Sequence, residues 1–103
     1  MVQTYNKAIR DKIPEIILAT GENCKVITMQ DGDFLLHMDR KLSEEVDEYK
    51  QSKSPEELAD ILEVVYRIAE LRGVKKEELE RIRQEKKAKR GAFGKNLFLI
   101  ETG

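Results

Sequence analysis

Acidic residues recur at helical spacing on both sides of a short turn. Glu45 and Glu48 precede the turn, while Glu57 and Asp60 follow it, and each pair is three positions apart. Residues three apart share one face of a helix, and two helices joined by a short link pack antiparallel. The turn therefore brings Glu48 level with Glu57. It also brings Glu45 level with Asp60.

Four carboxylates gathered beside a core repel one another unless some are protonated or a cation binds among them. The chain has one His, and Cys24 is its one cysteine, which argues against a zinc site of thiolate or imidazole ligands. Oxygen ligands alone favour Mg²⁺ or Mn²⁺. Carboxylate-bound Mg²⁺ keeps positions open for water and substrate phosphates. The spacing thus predicts a metal site that acts on a phosphoryl group, with these ligands: Glu45, Glu48, Glu57 and Asp60.

The position of Glu57 has two interpretations. At about 100° per residue, Glu57 projects into the wide apolar arc of its helix, which favours a functional carboxylate beside the core. Alternatively, Ser54-Pro55-Glu56-Glu57 fits a capping box, in which the Glu57 side chain bonds to the amide of Ser54. The acids of the preceding helix likewise fit an ordinary solvated face. Both interpretations stay open on the sequence alone.

The apolar pattern predicts a mainly α fold that positions these acids. Helical spacing predicts one long helix at about 33–51 and a second from Ser54 to about Arg72. A short helix ending at Thr20 and a charge-rich helix at about 75–90 complete the helical part. The segments 24–29 and 97–101 are rich in residues that favour strands, and they predict a small two-stranded β element.

Length and composition place the chain in the class of single small domains. It has 103 residues, of which 38% are charged and 40% apolar, so one domain spanning 1–103 with a thin core is expected. The wide apolar arc of 58–71 then predicts a homodimer in which antiparallel helical hairpins form a four-helix bundle. A net charge of −1 attracts neither nucleic acid polymers nor an anionic membrane. With no signal peptide or spanning segment expected, a cytoplasmic location is predicted.

Three blocks of sequence, spread over nearly the whole chain, narrow the interpretation. They are YNKAIRDKIPE at 5–15, the acidic set that ends in Glu57-Leu-Ala-Asp60, and KAKRGAF at 87–93. In this order they resemble the MazG-like all-alpha NTP pyrophosphatase superfamily, and within it the phosphoribosyl-ATP pyrophosphohydrolase-like branch. The chain departs from that branch in the short gap of eight residues between Glu48 and Glu57.

The resemblance implies a Mg²⁺-dependent nucleotide pyrophosphohydrolase that cleaves a nucleoside triphosphate to monophosphate and pyrophosphate. Many members are thought to remove noncanonical nucleotides, a house-cleaning role. By this resemblance, the four acids hold the metal. The catalytic candidates it implies are Glu45 and Glu44, the latter to orient or deprotonate water. Two alternatives remain: hydrolysis of phosphoribosyl-ATP in histidine biosynthesis, and a non-catalytic oligomerisation or regulatory module.

Basic residues near both ends of the chain fit a phosphate-binding role. Arg in particular offers a forked donor for phosphate oxygens. The candidates for substrate binding are Lys7, Arg10, Lys12, Lys87 and Arg90, with Phe93 to stack on a base. Cations at the end of a helix also complement its dipole without any ligand, and Phe93 equally fits a core anchor. The single His37 and Cys24 fit packing or surface positions.

Overall fold

The computed structural model describes residues 2–103, and this part of the chain contains four α-helices. They are α1 Ile13–Ala19, α2 Asp31–Ser52, α3 Pro55–Leu71 and α4 Lys76–Arg90. The predicted mainly α class is confirmed, and each predicted helix is present with its ends within one or two residues of expectation. None of these helices combines the length and the apolarity needed to cross a membrane.

The helices α2 and α3 form the predicted hairpin. Lys53 ends α2 in the left-handed region at φ 57°, and its amide donates to the carbonyl of Tyr49 at 2.7 Å. Ser54 is extended and begins α3, because its Oγ accepts a hydrogen bond from the amide of Glu56 at 3.2 Å. Pro55 follows at the first helical position, where its missing N–H is not needed. The link is thus reduced to Lys53 and Ser54, and α3 returns along α2.

The core lies between this hairpin and the segment that precedes α1. Among the described residues, the buried apolar side chains are Ala8, Met38 and Val64, each at most 8% exposed. Partly buried side chains surround them: Phe34, Leu42, Ile68 and Leu71. Burial of Ala8 holds the N-terminal segment against α2 and α3, so the basic residues beside Ala8 lie close to the hairpin.

The predicted two-stranded β element is wrong for the chain as described. Residues 2–103 contain no strand, and both 24–29 and 97–101 are irregular. Strand preference depends on a partner strand and on neighbours across the sheet. The second segment has neither, since Leu97 and Phe98 are 86% and 88% exposed. Its residue types favour strands, but nothing in the chain packs against them.

Candidate metal centre

Three carboxylates converge between α2 and α3. Glu45 comes from the middle of α2, whereas Glu57 and Asp60 come from the first two turns of α3. One oxygen of each lies within 4.8 Å of the oxygens of the other two. Glu45 is buried at 8% exposure, and the other two are half-buried. We call Glu45, Glu57 and Asp60 the carboxylate triad.

Two oxygens of the carboxylate triad have no hydrogen-bond partner. Within residues 2–103, this holds for Oε2 of Glu45 and Oε2 of Glu57, and both atoms are buried. The other oxygen of Glu45 is 3.6 Å from Nζ of Lys41, one turn earlier on α2. A buried polar atom without a partner carries the full cost of its desolvation. These two oxygens are therefore positions that a cation would satisfy.

The electrostatics of the triad disfavour the charged forms of Glu45 and Glu57. Burial is the main cause that raises the pKa of Glu45, followed by repulsion from Glu48, and the attraction of Lys41 only partly offsets them. The pKa of Glu57 is also raised, first by desolvation and then by Glu48, Asp60 and Glu45. A divalent cation needs the charged carboxylates, so it competes with protons for the same oxygens.

The capping interpretation of Glu57 is wrong. The amide of Ser54 donates to Oγ of Ser52 at 3.2 Å, not to the carboxylate of Glu57. The Oγ of Ser54 accepts from the amide of Glu56 rather than from that of Glu57. The cap of α3 is thus made without the Glu57 side chain. That side chain belongs to the carboxylate triad.

The other two candidate acids of α2 lie outside the triad. Glu48 is exposed, although it is near enough to Glu45 and Glu57 to raise the pKa of both. It borders the triad on its solvent side. Glu44 is exposed as well and contributes no oxygen to the triad within the described chain. The roles of Glu48 as a ligand and of Glu44 toward water remain predictions.

A cavity of about 1090 Å³ opens beside the triad, comparable in size to small-molecule sites. Glu45 and Asp60 lie in its wall. Six basic side chains also line it: Lys7, Arg10, Lys12, Lys41, Arg67 and Lys76. The first three are sequence candidates, whereas the last three are found only in the structure. The spacing of Lys41 four positions before Glu45 was the available signal for one of them.

The structure does not bring the C-terminal candidates to this cavity. Lys87 and Arg90 lie in the last turn of α4, and within residues 2–103 neither they nor Phe93 line the cavity. Phe93 is 97% exposed, so its interpretation as a core anchor is wrong. Cys24 is half-buried, and its Sγ lies 4.0 Å from the carbonyl of Pro14, a packing position.

A scan against protein-family models and searches of curated proteins and solved structures found no match. The carboxylate triad offers hard oxygen ligands with unsatisfied lone pairs, and the adjoining cavity offers cationic side chains. Such a combination suits a divalent ion together with a polyanionic ligand.

Proposed function

We propose that the protein is a Mg²⁺-dependent nucleoside triphosphate pyrophosphohydrolase. The observation that carries the proposal is the buried, unpartnered Oε2 of Glu45, on a carboxylate that converges with two further carboxylates from the antiparallel helix. Mg²⁺ binds oxygens at about 2.0–2.1 Å, so opposite ligands of one ion are about 4 Å apart. Oxygens already within 4.8 Å of one another need only small side-chain rotations to reach that geometry.

The residues of the hairpin have distinct proposed roles. Glu45, Glu57 and Asp60 would hold the ion, and Glu48 would join them as a fourth ligand from the solvent side. A bound Mg²⁺ supplies polarisation of a phosphoryl oxygen and a more acidic water. Glu44 would orient that water from the exposed flank of α2. Manganese, with similar oxygen preference, would substitute for magnesium.

The cavity supports a triphosphate as the substrate. Lys7, Arg10 and Lys12 line it from the N-terminal segment, and they would pair with phosphate oxygens while the triad holds the metal. The resemblance of three sequence blocks to MazG-like enzymes is the second support. It favours cleavage between the α and β phosphates, with noncanonical nucleotides as the substrate class.

The direct test is pyrophosphate release from a panel of canonical and modified nucleoside triphosphates. We expect equimolar monophosphate and pyrophosphate from at least one of them, with Mg²⁺ or Mn²⁺ present and not with a chelator. Phosphoribosyl-ATP belongs in the panel, since faster turnover of that compound would move the assignment to histidine biosynthesis. If Mg²⁺ raises the melting temperature but no nucleotide is cleaved, the protein is a non-catalytic module rather than an enzyme.

We propose further that the protein is a homodimer in which two hairpins form a four-helix bundle. Leu58 and Leu62 of α3 are 47% and 52% exposed. Five large apolar side chains after α4 are 78–97% exposed: Phe93, Leu97, Phe98, Leu99 and Ile100. Apolar surface of this extent marks an interaction site, and a stable interface buries about 800 Å² on each partner. A second copy would cover the open face of α3 while the triads stay accessible.

Replacement of Leu62 by Asp is expected to shift the protein from dimer to monomer. The substitution puts a charge at the centre of the proposed apolar contact, where it would be desolvated without a partner. Light scattering after size-exclusion chromatography measures the mass directly. Gln84→Asp adds the same charge at an exposed position of α4 and should leave the dimer intact. Wild-type protein that has the mass of one chain at all concentrations contradicts the dimer.

A further inference from the structure

Arg10 forms an ion pair with one member of the carboxylate triad. Its Nη2 lies 2.6 Å from Oδ1 of Asp60. The two residues are 50 positions apart in sequence, so the N-terminal segment crosses to α3 to make this contact. Asp60 is thus already paired with a positive charge, while Glu45 and Glu57 each keep an unpartnered oxygen.

We propose that Arg10 is a built-in competitor of the divalent cation at Asp60. In the metal-free protein its guanidinium neutralises Asp60, and binding of metal displaces it into the cavity, where it contacts the anionic substrate. This inference rests on the proposed metal site. A guanidinium and a divalent ion on the same carboxylate repel each other strongly, so both cannot keep their best positions there.

The ion pair between Arg10 and Asp60 can be broken at little cost in stability. The side chains of Arg10 and Asp60 are 54% and 38% exposed, and ion pairs this open to water contribute little net stability. The backbone of Arg10 is held in place, since its carbonyl accepts from the amide of Ile13 at 3.1 Å as α1 begins. Displacement therefore requires rotation of one side chain and no movement of the segment.

The Arg10 side chain, once released from Asp60, can join the other basic side chains of the cavity. Arg10 lines the same cavity as Lys7 and Lys12, so its guanidinium needs only to turn away from Asp60 to join them. Metal binding then adds a forked donor to the set of cations that faces the substrate. Because such coupling is reciprocal, a bound polyphosphate would in turn raise the affinity of the triad for metal.

The test compares metal affinity in Arg10→Gln and wild-type protein by calorimetric titration of Mn²⁺ in the absence of nucleotide. We expect Arg10→Gln to bind Mn²⁺ about two- to fivefold more tightly, the range for loss of an exposed ion pair. Arg72→Gln is the matched control, since it breaks another exposed Arg–Asp pair, with Asp39 at 3.3 Å. That variant should bind Mn²⁺ as the wild type does.

A second measurement tests whether Arg10 contributes to binding of the anionic ligand once metal is bound. With Mg²⁺ present, inorganic pyrophosphate should bind Arg10→Gln more weakly than wild type, whereas Arg10→Lys should fall between them. If wild type binds Mn²⁺ and Arg10→Gln binds it equally or more weakly, the competition is overturned and the metal site stands. If neither protein binds metal, the proposed site itself fails. Binding by Arg10→Gln alone would support competition in its strongest form.

Discussion

Replacement of Glu57 by Gln, or of Asp60 by Asn, is expected to lower Mg²⁺-dependent pyrophosphate release by about 100-fold or more. Each substitution preserves the size of the side chain and removes the negative charge that a hard cation requires. Metal-ion stabilisation of a transition state amounts to several kcal/mol, and each 1.4 kcal/mol or so is a factor of ten in rate. The quantity to measure is kcat/KM for the best substrate of the nucleotide panel.

Glu56→Gln is the matched control for both variants. Glu56 precedes Glu57 in the first turn of α3, yet it is exposed and lies outside the carboxylate triad. Its loss should change kcat/KM by no more than about twofold, because exposed charges at this distance are screened by salt. Calorimetry should show weaker Mg²⁺ binding in the triad variants alone. Activity equal to wild type in Glu57→Gln or Asp60→Asn would contradict the metal assignment.

Lowering the pH is expected to stabilise the metal-free protein through Glu45 and Glu57. Burial and neighbouring acids raise the pKa of both from the ordinary value of 4.5. Between 4.5 and the raised values the folded state binds more protons than the unfolded chain. The contribution to the free energy of unfolding is therefore fully present at and below pH 4.5, falls as pH rises through the raised pKa values, and stays low above them.

Glu45→Gln isolates this effect, because the amide cannot ionise. In metal-free protein at pH 8 we expect the variant to be more stable than wild type by on the order of 1 kcal/mol, because the neutral amide avoids the desolvation and the repulsion that disfavour the charged carboxylate. The difference should shrink toward pH 4.5. Urea denaturation at a series of pH values measures it. Other acids also titrate, such as Glu80, whose pKa is lowered by Arg83. Their contributions to the pH dependence of stability are the same in both proteins and cancel in the comparison.

With Mg²⁺ bound, the wild type should become more stable than Glu45→Gln. At a concentration 100 times the dissociation constant, a ligand that binds only the folded state adds about 2.7 kcal/mol, and only the wild type retains the full triad. Asp47→Asn, at an exposed position of the same helix, should respond to pH and Mg²⁺ as the wild type does. Identical pH profiles for wild type and Glu45→Gln would show that the buried carboxylate holds no excess proton.

The hairpin and three members of its acidic site were predictable because the signals are local. Apolar spacing within each helix depends on neighbours three and four positions away. Ser54 and Pro55 then mark the start of α3, which sets Glu45 level with Asp60. Glu48 also lies next to Glu45 and Glu57, since it raises the pKa of both. What the spacing did not predict is its exposure to solvent, because at about 100° per residue small differences in helix rotation decide how far such a side chain is covered.

The β element and the ion pair of Arg10 depend on contacts between distant parts of the chain. The residue types of 97–101 favour a strand, but a strand forms only where a partner lies alongside. The interpretation of Phe93 as a core anchor was wrong for a similar reason, since an apolar side chain is buried only if another part of the chain packs over it. No periodicity links Arg10 to Asp60. That contact follows from the burial of Ala8, which fixes the path of the N-terminal segment.

The two-residue connection at Lys53 and Ser54 makes the proposed metal site depend on residue spacing. A link this short allows little variation, so it determines the axial position of α3 relative to α2. A single residue inserted in the first turn of α3 would turn everything after it by about 100°. Both helices would survive, yet the acids of α3 would point away from Glu45. The proposed chemistry is thus sensitive to residue spacing at a link, Lys53 and Ser54, whose own side chains are not proposed ligands.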